Sequence, residues 1–309
     1  MTDLCPSATM KVIEVAMHFL EIKAHYALEQ PIDIVKDLSS AIRGVWGRSL
    51  RNIYCFQKQL DCINCSLVNC TYFVLFEKKL SNADQYHPYI IQSQVLNPNL
   101  IEARFKFFGW ICEHSEKLLY SIINMNSRVL NRESVSHKLL LQDITDINGN
   151  ILFTMSNPNI IRPKLKTLTF RPQIAPVIQL EFKTPLRQKH QGSLMSEFVW
   201  ESFAKSLINR IRFIDQYFNR SELDIPEHIE LDGVRTIEAI TEWSEKIRVS
   251  YRQESKMSIG GLQGKVTLAN VSPDMIAILK LSRYLHAGKQ CSFGNGEIAL
   301  RKMSDDLLI

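Results

Sequence analysis

Apolar and polar positions alternate with period two near the start of the chain. Leu20, Ile22, Ala24, Tyr26 and Leu28 fall on one side, and Glu21, Lys23, His25 and Ala27 on the other. That period predicts a strand with one buried face. Residues 33–54 switch to a helical period, with Leu38, Ile42, Val45 and Ile53 facing inward. Two strand-like runs follow at 88–92 and 100–108, then a helix over about 112–126 and a strand over 138–144. The order is β-α-β-β-α-β, the ferredoxin-like arrangement.

The second half reads the same way. Residues 157–176 hold Pro158, Pro163, Pro172 and Pro176 with few helical signals, which predicts a linker. Ile178, Leu180 and Phe182 then alternate along a strand over 177–183. A long amphipathic helix over 195–219 carries Phe203, Leu207, Ile211, Ile214 and Phe218 on one stripe. Residues 247–253 and 263–269 read as a pair of strands. Ser272 and Pro273 open a helix to about Leu285, a capping side chain followed by proline at the first position. Glu297–Arg301 is the last strand. The expected fold is α+β, two tandem ferredoxin-like domains over 1–165 and 166–309. The repetition is one of element order, since no sequence period links the halves.

Composition adds little to this. Of 309 residues, 45% are hydrophobic and 22% charged, as in a globular chain with real cores. Net charge is +5, compatible with a polyanionic partner without demanding one. No run of 18 apolar residues is present, so no membrane span is expected. The first residues lack a basic stretch followed by an apolar one, so no secretory signal is read. With an odd count of seven cysteines, this points to reduced thiols and a cytoplasmic protein.

Local chemistry is more informative. Six of the 12 glycines (Gly260, Gly261, Gly264, Gly288, Gly294, Gly296) fall between 260 and 296, beside Arg283, His286 and Lys289. Glycine allows positive φ and close backbone approach, so the segment suggests a loop shaped around phosphate, or simply tight turns. From 280 to 302 the basic residues are Lys280, Arg283, Lys289, Arg301 and Lys302 against the single acid Glu297. Salt-sensitive RNA binding is expected there. Arg43, Arg48 and Arg51 share one helix, and Arg210 and Arg212 another. Each set reads either as a solvated surface or as a phosphate-contacting edge. Phe293 is placed to stack on a base or to anchor the loop.

Cys55, Cys62, Cys65 and Cys70 put four thiols within 16 residues, enough for one tetrahedral structural zinc. They lie in an insertion, 55–80, that would otherwise be a long unstapled loop. Buried free thiols are the plain alternative.

Three segments near the end, Gly261–Leu268, Leu279–Lys289 and Ser292–Gly296, resemble the C-terminal signature of the CRISPR precursor-RNA processing endoribonucleases of the RAMP superfamily. Ala41–Arg51 looks like the first helix of that family, and Cys70–Glu77 like its cysteine-rich insertion. Phe182–Arg187 with Asn209–Arg212 looks like the opening of its second domain. The resemblance implies two RRM-type domains whose cleft and glycine loop (Gly288, Gly294, Gly296) grip a CRISPR repeat RNA. It implies a metal-independent cut with no catalytic cofactor, in which the ribose 2′-hydroxyl attacks to leave a 2′,3′-cyclic phosphate and a 5′-hydroxyl. The product stays in, or passes to, a CRISPR effector complex. Many members use a first-helix histidine; here that helix has none, and Arg48 stands in its place.

His286 is therefore the expected acid–base group, with His25 a secondary one, since imidazole titrates near neutrality. A helix-end histidine also has a plain use against the helix dipole. Lys289 is the expected phosphate contact. The alternative function is a repeat-binding subunit of a CRISPR or transposon-associated complex that does not cut. A further one is a zinc-stapled RNA-binding protein outside CRISPR.

Overall fold

In a computed structural model, the described residues are 15–303 apart from 33–37, 66, 68–69, 78–85, 133–134, 171, 221–222, 224 and 251–254. Parts of the expected 33–54 helix, of the cysteine insertion and of the 247–253 strand lie outside these.

The first domain runs β1 (Val15–Leu28), α1 (Leu38–Tyr54), β2 (Tyr89–Asn97), β3 (Leu100–Phe108), α2 (Ser115–Ile123), β4 (Val129–Arg132), β5 (Val135–Asp146) and β6 (Ile151–Thr154). Its sheet has the order β2-β3-β1-β5-β4, all antiparallel, with β6 added beside β5. The alternation read in β1 sets the faces. Leu20, Ile22, Ala24 and Tyr26 are buried beneath α1 and α2, where Trp46 packs among Phe76, Tyr89, Phe105 and Phe107. The indole N–H needs a partner once buried and donates to Ser121 Oγ at 2.8 Å.

The stretch expected as a linker contains β7 (Lys166–Phe170), which pairs antiparallel with Val15–Phe19 and extends the first sheet. Prolines at 158, 163, 172 and 176 bracket it without interrupting its ladder, which is why they masked it.

The second domain runs β8 (Val177–Leu186), a short ribbon of β9 (Lys189–His190) and β10 (Ser193–Leu194), α3 (Trp200–Phe218), β11 (Arg235–Ser244), β12 (Ile247–Ser250), β13 (Ser255–Ser258), β14 (Gly261–Ala269), α4 (Pro273–Leu285) and β15 (Ile298–Met303). The sheet order is β11-β14-β8-β15. The expected pairing of 247–253 with 263–269 is corrected. β14 pairs with β11, and β12 forms a separate ribbon with β13. β11 was missed because nearly all its residues are exposed, so no buried face marks it. Ser272 caps α4 as expected, its Oγ accepting from Met275 N–H at 3.3 Å.

The two domains share apolar packing. Met17, Phe19, Ile90 and Phe108 of the first belong to the same buried cluster as Ile178, Leu180, Phe182 and Leu285 of the second. The turn after α4 closes on itself at Gly296, which has φ +72° and a carbonyl accepting from Ala287 N–H at 2.8 Å. A Cβ at Gly296 would collide with the Ala287 carbonyl oxygen. Gly296→Ala is expected to cost about 2 kcal/mol or more, read as a fall in the urea midpoint; an unchanged midpoint contradicts this account of the turn.

Candidate nucleic-acid interface

The open face of the first sheet is a checkerboard of opposite charges. Register places Glu21 opposite Lys106, Lys23 opposite Arg104 and His25 opposite Glu102, with Asp143 across from His25 on the other side. Facing pairs of opposite charge stabilise such a ladder. His25 is the expected secondary catalytic group, and it is held from both sides. Its Nδ1 is 2.8 Å from Asp143 and its Nε2 3.5 Å from Glu102.

The glycine loop of the second domain lies on this face. Cys291 to Gly296 is buried, and a Cβ at Gly294 would press on Gln92 and the Ile91 carbonyl. The expectation that this loop closes on RNA is corrected: its glycines fit it to protein. His286 is corrected with it. The side chain is fully buried, so it reaches neither solvent nor a ligand. Its Nδ1 lies 2.9 Å from the Asn295 carbonyl, which can only accept, so Nδ1 carries the proton. Nε2 then offers its lone pair to Lys106 Nζ at 3.1 Å. Burial, then the Lys106 charge, hold the imidazole well below its ordinary pKa. Burial lowers Lys106 as well, opposed by Glu297 at 3.5 Å.

Several other expected RNA contacts are engaged within the fold. Arg210 is buried and donates to the carbonyls of Leu285 (2.8 Å) and His286 (3.3 Å), fixing the end of α4. Phe293 is buried, with two guanidinium groups over its ring. Gly288 lies against the Arg187 carbonyl. Arg51 donates to the carbonyls of Lys58 and Leu60, and Arg212 to those of Pro226 and Glu227. Arg48 and Arg283 are exposed, Arg48 reaching the Val129 carbonyl at 3.4 Å. Lys289 is half-buried, its backbone bridged to Arg187.

The four cysteines come together around one small cavity, with all four thiols free. Cys65 Sγ is 3.4 Å from Gln57 Oε1, and Cys70 Sγ 3.8 Å from the Tyr54 carbonyl. Among the described residues no group of three or more His, Cys, Asp or Glu side chains is placed to hold a metal ion. The zinc expectation therefore finds no support in this arrangement.

The structure assembles a cation cluster that the sequence reading missed. Arg43 lies between Phe76 and Phe293, 4.8 Å from each ring centre, and donates to Tyr89 Oη at 3.0 Å. Arg248 also lies over the Phe293 ring, at 4.4 Å, and donates to Ser40 Oγ at 3.2 Å. Lys246 donates to the Phe293 carbonyl (3.3 Å) and Asn295 Oδ1 (3.1 Å). Cations over ring faces attract the quadrupole, so one phenylalanine gathers charge from α1 and β12. Beside the cluster, between the domains, is a cavity of about 240 Å³ whose lining includes Ser39, Gln92, Ser93, Arg104, Lys246 and Glu297. Only Arg43 had been singled out. The run Lys246-Ile-Arg248 was the available signal, a basic alternation just ahead of the glycine-rich segment.

Residues 180–298 match the family of the CRISPR-associated endoribonuclease Cas6, and residues 17–173 match the N-terminal domain family AF_1859_N. A Cas6 product complex superposes with TM-score 0.59 at 10% identity, covering 92% of this chain and 99% of that one. Thermus thermophilus Cas6 gives 0.53 at 12%, covering 93% and 99%. A partial Cas6-RT-Cas1–Cas2 complex gives 0.55 at 11%, covering 96% of this chain and 48% of that one. At such identity these likenesses show the fold. No curated protein matches significantly. No helix among the described residues is long and apolar enough to cross a membrane.

Burial of neutral histidine has a sign that can be measured. His286 is held well below its ordinary pKa, and His87 is lowered to about 3, by burial first and the Arg43 charge next. Below pH ~6.5 the unfolded chain takes up protons that the folded chain refuses, so stability falls as pH falls. From pH 7 to 5 the loss is about 2 kcal/mol for His87, and His286 adds a loss of the same sign. Urea midpoints at pH 7 and pH 5 measure it, and equal midpoints contradict it.

Proposed function

Residues 180–298 match the CRISPR-associated endoribonuclease Cas6 family, and from that premise we propose that the chain is a member, that it binds CRISPR repeat RNA along the cleft between its two domains and that it cuts it within each repeat. In this reading the ribose 2′-oxygen attacks the adjacent phosphorus, the 5′-oxygen leaves, and the products are a 2′,3′-cyclic phosphate and a 5′-hydroxyl. No metal ion takes part.

The observation that carries the reading is the convergence of Arg43, Lys246 and Arg248 around Phe293. Negative charge on the phosphoryl oxygens builds as the 2′-oxygen attacks. Guanidinium groups stay charged at any working pH and can pair with two phosphate oxygens at once. Held in place by ring faces and by Tyr89 and Ser40, they need little reorganisation during the reaction. Lys289 remains in the proposal as a phosphate contact at the loop's edge. His286 is assigned the positioning of the loop in place of acid–base work.

A second reading, a repeat-binding subunit that does not cut, has one observation in its favour. Among the described residues no imidazole lines the cavity; His286 is buried, and His25 on the sheet face is paired with two carboxylates. Either reading is compatible with further CRISPR effector subunits as partners.

Purified protein with a synthetic repeat RNA is expected to cut once per repeat in EDTA. A single 2′-deoxy sugar upstream of the cut is expected to block it. Arg248→Met is expected to slow cleavage about 10²-fold, with partial rescue by Arg248→Lys. Equal cleavage of the deoxy substrate would rule out the 2′-oxygen as nucleophile. Tight binding with no cleavage under any condition would leave the second reading standing.

A further inference from the structure

Three residues lining the 240 Å³ cavity carry a buried polar atom with no hydrogen-bond partner among the described residues: Gln92 Oε1, Ser93 Oγ and Arg104 Nε. Each belongs to a side chain or residue that is otherwise engaged. Gln92 Nε2 donates to Glu297 at 2.7 Å, Ser93 N–H to Ser39 Oγ at 3.0 Å, and Arg104 Nη2 to Glu102 at 3.2 Å. Arg104 Nε itself stands 3.6 Å from Glu21, beyond hydrogen-bond reach. A buried polar group without a partner loses its water and receives nothing in return. Such groups are rare enough in native proteins that three around one cavity call for a ligand or ordered water.

The chemistry of the set narrows the ligand. It offers an acceptor (Gln92 Oε1), a hydroxyl that both donates and accepts (Ser93 Oγ), and a donor (Arg104 Nε). Two carboxylates, Glu102 and Glu297, also line the cavity. Lys246 and Arg104 on the same lining offset them, so the cavity is close to neutral and does not select an anion, while the cations Arg43 and Arg248 lie around Phe293 on its wall. An uncharged planar ring whose edge carries both donors and acceptors matches the set. Unpaired bases splayed out of an RNA strand are recognised in this way.

We propose that this cavity is a nucleobase subsite. It receives one unpaired base of the bound RNA and reads its edge through Gln92, Ser93 and Arg104, with the flanking phosphates outside near Arg43 and Arg248. The inference rests on the reading above that the cleft binds repeat RNA.

The test is an abasic scan. A synthetic RNA of one repeat unit, from the array adjoining the gene, is made with each nucleotide in turn replaced by an abasic ribose. This keeps the phosphate and removes only the base. Binding to the full-length protein is followed by fluorescence anisotropy at fixed salt, since affinity for RNA is salt-dependent. One position is expected to lose at least about tenfold with wild-type protein, and clearly less with Ser93→Ala or Gln92→Ala, because the contact is already gone. Ser93 Oγ makes no bond within the described residues, so Ser93→Ala carries the test should Gln92→Ala fail to fold. If wild-type protein binds the repeat but every abasic loss is the same in both variants, the subsite is overturned and the cleft reading stands. If wild-type protein binds the repeat no better than a scrambled RNA, both fall together.

Discussion

The architecture depends on an ammonium group of one domain held inside the packing of the other. Lys106 leaves the open face of the first sheet and ends 3.1 Å from the imidazole of His286, at the turn after α4. Desolvating a lysine is costly unless it is paired. Here the pairing comes from Glu297 and from a lone pair that exists only because the Asn295 carbonyl holds the proton on the opposite nitrogen. Arg210 closes the same turn from α3 by binding the carbonyls of Leu285 and His286. One residue thus ties both domains, the end of α4 and the start of β15 to a single geometry. The neutral state of the imidazole is a condition of that geometry.

This changes what the glycine-rich segment does. A loop of small residues beside basic ones suggests a phosphate cradle. In this fold the glycines let backbone approach backbone, and the loop becomes a lock between domains. Its one large side chain, Phe293, is buried in that lock with Arg43 and Arg248 packed over its ring. The positive charge available to an RNA strand is displaced from the loop to its rim. It is drawn from α1 and from the segment entering β12, far apart in sequence. Beside it the checkerboard on the first sheet remains close to neutral, with His25 held between Glu102 and Asp143. The cleft therefore has Arg43 and Arg248 at one wall, and amides, hydroxyls, carboxylates and the balancing Lys246 and Arg104 within. Such a surface fits the proposed division between holding phosphates and reading a base.

Much of the fold was legible in the chain. The alternation in β1, the stripe on α3, the Ser272–Pro273 start of α4 and the repeated element order all report local periodicity that burial of one face imposes. β11 was not legible because both its faces are exposed, and β7 was not because prolines flank it. The cysteine segment displayed a spacing that brings its four thiols around one small cavity, and spacing alone does not say whether they hold a metal.

The sequence by itself determined the two ferredoxin-like units and the family resemblance, since hydrophobic period and glycine placement are local properties of the chain. Only the tertiary structure decided which polar residues face a ligand. His286 and Lys289 are three residues apart, yet one is sealed in the interior and the other lies at the edge. Lys106, Lys246 and Arg248 look like ordinary strand residues until packing brings them to the domain boundary. Whether a charged side chain binds RNA or holds the fold depends on what lies above it in space, and no local pattern carries that information.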